Sequence, residues 1–301
     1  MNWSILENKE KDYSKEYFTV VNKTISPIVV AGEGWWDYPN TFMMKRSTDD
    51  NWHYFDENEE NAYIAPGESA MYKANFQEEY LPNITILTDL GTFNPEIDEI
   101  IVQGNIASLV YGDNFVGRTD CPKTTGGDFI NFYSIKRYSA LRRETIGLFQ
   151  DCIITDASNL VLPFMDFAPY NNMFSNCFSL KKAPKILPLK KEHENYGVGY
   201  SYMFYNCSSL EESPIICAES FVNAYGCCSN MFVSCSKLRK ITMLATNFIY
   251  GTDSYIDTFY RWVGGVAPEG VFIKNKDIDI SLLPIGYSGI PEGWTIEDYK
   301  E

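Results

Sequence analysis

Histidine is almost missing: His53 and His193 are the only two in 301 residues. His53 sits in an aromatic stretch and His193 in the charged run "KKEHEN", and neither neighbours a nucleophile motif of the G-x-S-x-G kind. The chain also lacks a Walker phosphate loop, a G-x-G-x-x-G turn after a strand, and an H-E-x-x-H zinc helix. These absences speak against nucleotide-dependent, metalloprotease and triad chemistry. Paired carboxylates for glycoside cleavage stay open, since acid and nucleophile need only lie about 5–10 Å apart in space. Long apolar runs are missing too: no window reaches the ~18 residues that a bilayer-spanning helix needs. The opening "MNWSILENKEKDYSKEYF" is charged and unlike a secretory leader. The expectation is therefore no membrane insertion and synthesis in a reducing cytoplasm. Positive charge is scarce, with 25 Lys and Arg against 40 Asp and Glu and a net charge of −15. A basic groove for nucleic acid is not expected on such a surface. The one basic cluster, "KRYSALRR" from Lys136 to Arg143, reads as a local solvated face.

What the chain does have is core material, 45% hydrophobic and 15% aromatic, and a phrase that recurs. It begins at Leu148 ("LFQDC"), Met173 ("MFSNC"), Met203 ("MFYNC") and Met231 ("MFVSC"), with successive offsets of 25, 30 and 28 residues. In the last three copies a leucine follows the cysteine by three positions, as Leu180, Leu210 and Leu238. A short extended run comes next: "KAPKILP", "ESPIIC", "KITMLA". One such unit cannot bury its aromatic-methionine knot and its strand alone. Stacked units cover one another, which predicts strands side by side in a parallel sheet and the "MF" pairs on turns across the coil. Four of the eight cysteines, Cys152, Cys177, Cys207 and Cys235, hold the same place in the phrase. That pattern points to a repeated packing role and away from a disulfide framework. Zinc is not expected, since no His accompanies them and no C-x2–4-C pair occurs among them. The prolines of "KAPKI" and "ESPII" are expected at exposed or terminal strand positions.

Residues 17–95 follow a different grammar. "YFTVVNKTISPIVV" and "ESAMYKANF" read as short strands between turn signals, as in a small β-sandwich. "RSTDDNWHYFD" (Arg46 to Asp56) reads as a hairpin with a tight Asp/Asn turn. The acidic run Asp49, Asp50, Asp56, Glu57, Glu59 and Glu60 has enough oxygens for calcium, though its spacing is not that of an EF-hand; a solvated loop is the simpler reading. "GWWDY" (Gly34 to Tyr38) offers aromatics to a sugar ring, or else two tryptophans to the core. No catalytic, cofactor or metal residue is assigned. The fold class expected is mainly β, in four parts. These are an N-terminal arm (1–16), a β-sandwich-like domain (17–95), a leucine-rich-repeat solenoid (96–254) and a C-terminal cap (255–301), in which Trp262 and Trp294 cover the last coil.

The recurring phrases resemble leucine-rich repeats of the BspA type, common in gut Bacteroidales and in their phages and prophages. "GNIASLVYGDNF" (Gly104 to Phe115) is similar to the segment that opens the array in that family. "ITMLATNF", "WVGGVAPEGVFIKN" and "GIPEGWTIED" are similar to its closing segment. Here the copies are few and unevenly spaced. The resemblance implies a non-enzymatic interaction protein. Together with the charged start it implies a phage virion component, a fibre or decoration protein that meets the host surface. The expected partners are other virion proteins through the N-terminal region, further copies of the chain in a homo-oligomer, and a host surface glycan or protein. The alternatives are a bacterial surface adhesin of the same repeat type and a glycan-active enzyme.

Overall fold

A computed structural model of the chain describes residues 11–33, 42–54, 63–75, 83–88, 93–118, 133–138, 142–163, 170–187, 199–216, 226–246, 248 and 257–300. The fold is mainly β. The N-terminal strands are β1 (Phe18–Lys23), β2 (Ile28–Glu33), β3 (Phe42–Arg46), β4 (His53–Tyr54), β5 (Tyr63–Ile64), β6 (Ser69–Ala74), β7 (Asn83–Thr88) and β8 (Glu99–Asn105). The short helix α1 (Ser108–Tyr111) follows, then β9 (Tyr133–Tyr138), β10 (Arg142–Gly147) and β11 (Asp156–Val161). The repeat strands are β12 (Ile186–Leu187), β13 (Glu212–Ile216), β14 (Lys240–Met243), β15 (Val271–Lys274) and β16 (Thr295–Asp298).

A six-stranded sheet runs in the order β11-β8-β1-β6-β3-β4, and β5-β2-β7 form a smaller one. Alternation drives the first: in β1, Phe18 and Val20 are buried, as are Ile100 and Val102 in β8. The smaller sheet adds Ile28, Val30 and Ile64 to the same buried cluster. The hairpin expected at Arg46 is present, with β3 and β4 pairing antiparallel and Asp49 closing the turn by accepting from the Arg46 amide at 3.1 Å. The cluster "KRYSALRR" falls on the antiparallel pair β9–β10, with residues 139–141 outside the described residues.

Strand β8 makes the junction. It is antiparallel to β1 and parallel to β11. Lys182 then forms isolated parallel bridges to Asp156 and to Glu212, carrying the pairing on into β13. From there β12-β13-β14-β15-β16 form a parallel sheet, as the repeated extended runs predict. Pro214 departs from expectation: it is buried inside β13, which has a neighbour on each side. The strand tolerates it because the register shifts between Glu212 and Ile215, and the Ser213 hydroxyl accepts from the Thr242 amide at 3.0 Å. A proline without an N–H is accommodated where the ladder is already irregular.

Across the coil from the strands, the "MF" turns build a second ladder. The amides of Phe149, Phe174 and Phe204 donate to the carbonyls of Met173, Met203 and Met231, one copy onward. Three buried cysteine thiols reach one copy back: Cys177 to the Phe149 carbonyl, Cys207 to Phe174 and Cys235 to Phe204, all at 3.0 Å. The rings form a column. Phe18 of the N-terminal sheet meets Phe149 at 5.6 Å, followed by Phe174, Phe204 and Phe232 at 5.4, 5.4 and 5.6 Å. Offset ring pairs of this kind contribute roughly 0.5–1.5 kcal/mol each beyond their burial.

The turn ladder does not stop at the fourth copy. Phe232 donates to the Trp262 carbonyl and Ser234 to that of Gly264. Left-handed residues stand four apart in the second to fourth copies, at Asn172 and Asn176, Tyr202 and Asn206, and Asn230 and Ser234. Arg261 and Gly265 continue the series. Residues 261–266, "RWVGGV", therefore trace the same backbone as "NMFVSC", with Trp262 for Met231 and Val266 for Cys235. Trp262 is fully buried and its indole donates to Gly289 at 2.7 Å. Trp294 is buried too, with its indole on the Ala267 carbonyl at 2.8 Å.

Candidate interaction face

Among the described residues the repeat core is built mainly from buried Met, Phe, Cys and Leu, and the charged side chains that follow each repeat leucine turn outward. Two residues follow each repeat leucine, and they come in like-charged pairs: Lys181-Lys182, Glu211-Glu212 and Arg239-Lys240. The parallel pairing sets these rungs on one another. Asp156, Lys182, Glu212 and Lys240 lie side by side, and the Arg239 amide donates to the Glu211 carbonyl at 2.9 Å. Sign thus alternates from copy to copy. Lys182 meets Asp156 at 2.9 Å and Lys240 meets Glu212 at 2.9 Å. Burial pushes the Asp156 carboxyl up, but hydrogen bonds from Ser158 and Lys182 outweigh it and leave it below the usual carboxylate range. The Lys182 ammonium is raised in turn, chiefly by its hydrogen bond to Asp156. Between these rungs opens a cleft of about 520 Å³ lined by Glu211, Glu212, Lys237, Arg239 and Lys240. Lys237 and Arg239 are exposed and take part in no ion pair among the described residues. On a chain of net charge −15, this strip sets Lys181, Lys182, Lys237, Arg239 and Lys240 against only three carboxylates.

A second polar cluster ties the N-terminal sheet to the segment after α1. The buried Lys73 ammonium donates to both oxygens of Asp113, at 2.7 and 2.8 Å, and lies 4.6 Å from the centre of the Trp52 ring. The Tyr17 hydroxyl donates to the same carboxylate at 2.6 Å. Hydrogen bonds from Lys73 and then Tyr17 hold Asp113 below the usual carboxylate range. Burial, with Asp113 beside it, pushes Tyr17 up to about 12.

The sequence-level candidates fare unevenly. Asp49 serves its own turn and lies 3.9 Å from exposed His53. Asp50 gives its backbone carbonyl to the Lys45 ammonium at 2.7 Å. Asp56, Glu57, Glu59, Glu60, the stretch 34–38 and His193 lie outside the described residues. Among the described residues no cluster of three His, Cys, Asp or Glu side chains is placed to hold a metal, and no helix is long and apolar enough to cross a membrane. The six described cysteines are buried. Burial pushes the thiols of Cys177, Cys207 and Cys235 up, which keeps them protonated and unreactive. The alternating rungs lie outside the sequence-level expectations, although "LKK", "LEE" and "LRK" carry their signal. Compared with family models, with curated proteins and with solved structures, the chain matches none.

Proposed function

We propose that this chain is a non-enzymatic structural and interaction protein of a phage particle. It is a short leucine-rich-repeat solenoid of BspA type on a β-sandwich-like base, exposed as a fibre or decoration component. The N-terminal region anchors to other particle proteins and supports a homo-oligomer, and the repeat part faces the host. What carries the reading is the two-sided ladder: strands on one side, "MF" turns on the other, with Met, Phe, Cys and Leu consumed between them. The residues repeated most faithfully are the ones that solvent cannot reach, and their thiols are held protonated. A scaffold is the use such a chain supports, with contact made through variable outward positions such as Lys237 and Arg239. Weak contacts of this kind gain from many copies on one particle, because the second engagement is intramolecular.

Mass spectrometry of purified phage particles tests the proposal. The chain is expected at a stoichiometry of several copies per particle. Its absence from particles, with recovery in outer-membrane fractions of the bacterium, would replace this reading with that of a surface adhesin.

A further inference from the structure

The turn side of the array places one bulky aromatic in the left-handed conformation. The first left-handed position of each full copy is Asn172 (φ 55°), Tyr202 (φ 56°), Asn230 (φ 54°) and Arg261 (φ 51°). Asparagine suits this conformation because its short amide bonds locally; a bulky aromatic does not, and its presence costs free energy. Core packing does not offset the cost, since Tyr202 is 40% exposed. The ring leans on Tyr205, with centroids 5.6 Å apart and planes inclined at 54°. The place of Tyr205 is taken by Ser175, Val233 and Gly264 in the neighbouring copies, so both rings belong to the third copy alone.

The rungs on either side of Tyr202 are uncharged. The ladder sets Tyr202 between Asn172 and Asn230: Asn172 donates to the Ser201 carbonyl and Tyr202 to that of Ser229. Asn171 accepts from the Ser201 amide at 3.0 Å, and the Asn230 amide group donates to the Ser229 hydroxyl at 2.8 Å. Two rings flanked by amides and hydroxyls, on a chain that is 22% charged, suit a ligand with flat C–H faces, many hydroxyls and no charge. Strain kept at an exposed site where the fold has a better residue available is the mark of a functional position.

We propose that Tyr202 and Tyr205 form a binding platform for a neutral saccharide, on the side of the array opposite the charged cleft. The inference takes only its biological setting from the particle reading. Binding is measured on the purified chain, so its failure leaves the particle location standing. The full chain is applied to a printed array of neutral oligosaccharides of glucose, mannose, galactose and N-acetylglucosamine, with sialylated and sulfated counterparts. The wild type is expected to bind a neutral series. Tyr202→Asn and Tyr205→Ser are expected to lose it by tenfold or more, while Lys276→Ala, at an exposed position in the segment between β15 and β16, retains it. Because it relieves the strain, Tyr202→Asn should also melt higher, by about 2–4 °C. Binding confined to sulfated or sialylated sugars, or no sugar binding at all, overturns the proposal. So does binding that Tyr202→Asn leaves intact, or a lower melting temperature for that variant, which would make the ring a packing element.

Discussion

In the repeat turns the thiols of Cys177, Cys207 and Cys235 donate to the phenylalanine carbonyl of the copy before, and all six described cysteines are buried. A reagent that needs thiolate cannot reach these groups without unfolding. Iodoacetamide applied to the native protein is therefore expected to leave Cys152, Cys177, Cys207, Cys227, Cys228 and Cys235 unmodified, and to label all six in denaturant. Peptide mass spectrometry reads this directly, and native labelling at Cys207 would show an open turn. The Lys73–Asp113–Tyr17 cluster gives the pH dependence. Asp113 titrates below its ordinary 3.8, so its contribution is present above that pH and is lost as pH falls through the lower folded value. Tyr17 is raised from 10.0 to about 12, so its contribution is present below pH 10 and is lost as pH rises through about 12. Asp113→Asn leaves the buried Lys73 ammonium without its carboxylate and should cost about 1–3 kcal/mol at pH 7. In denaturant titrations that difference should shrink toward zero below pH 3–4.

At the scale of the strand and the turn, sign alternation acts as a register lock. With Lys181-Lys182, Glu211-Glu212 and Arg239-Lys240 stacked in turn, a slip of one copy would place like charge on like. Glu211→Lys with Glu212→Lys turns these three rungs into six adjacent cations. The double variant is expected to lose about 1–2 kcal/mol at low salt. Most of that loss should disappear in 1 M salt, where screening acts within about 3 Å. Chemical denaturation at the two salt concentrations checks it, and equal stability of variant and wild type would reduce the rungs to solvated side chains. Much of this level was legible beforehand. The spacing of Met, Phe, Cys and Leu gave the parallel sheet and the turns opposite, and the Asp/Asn turn gave the β3–β4 hairpin. The copy at residues 261–266 was hidden because backbone conformation, not residue type, is what recurs: tryptophan and valine fill the methionine and cysteine places. Gly265 at φ 78° is the residue that gave it away, since glycine adopts that conformation freely. Pro214 misled for a related reason. Its lost donor coincides with a register shift that no single-strand pattern reveals.

Across the whole molecule, one buried cluster joins the N-terminal sheets to the repeats, and β8 is hydrogen-bonded to both. The ring column makes the same connection through Phe18 and Phe149 and continues to Trp262, 5.9 Å from Phe232. What no local pattern displayed was this continuity, because the pairing of Glu99–Asn105 with Asp156–Val161 joins segments more than fifty residues apart. A body tied together in this way should open as a unit. The turn amides of Phe149, Phe174, Phe204 and Phe232 report on it, since each donates to the following copy and to nothing within its own. Amide hydrogen exchange on the full chain should find all four protected to a common level, the level of the β1 and β8 amides, and exchanging only through global unfolding. Rapid, unequal exchange at those four positions beside protected β1 and β8 amides would mean that the copies do not bury one another, and the scaffold reading would fall with them.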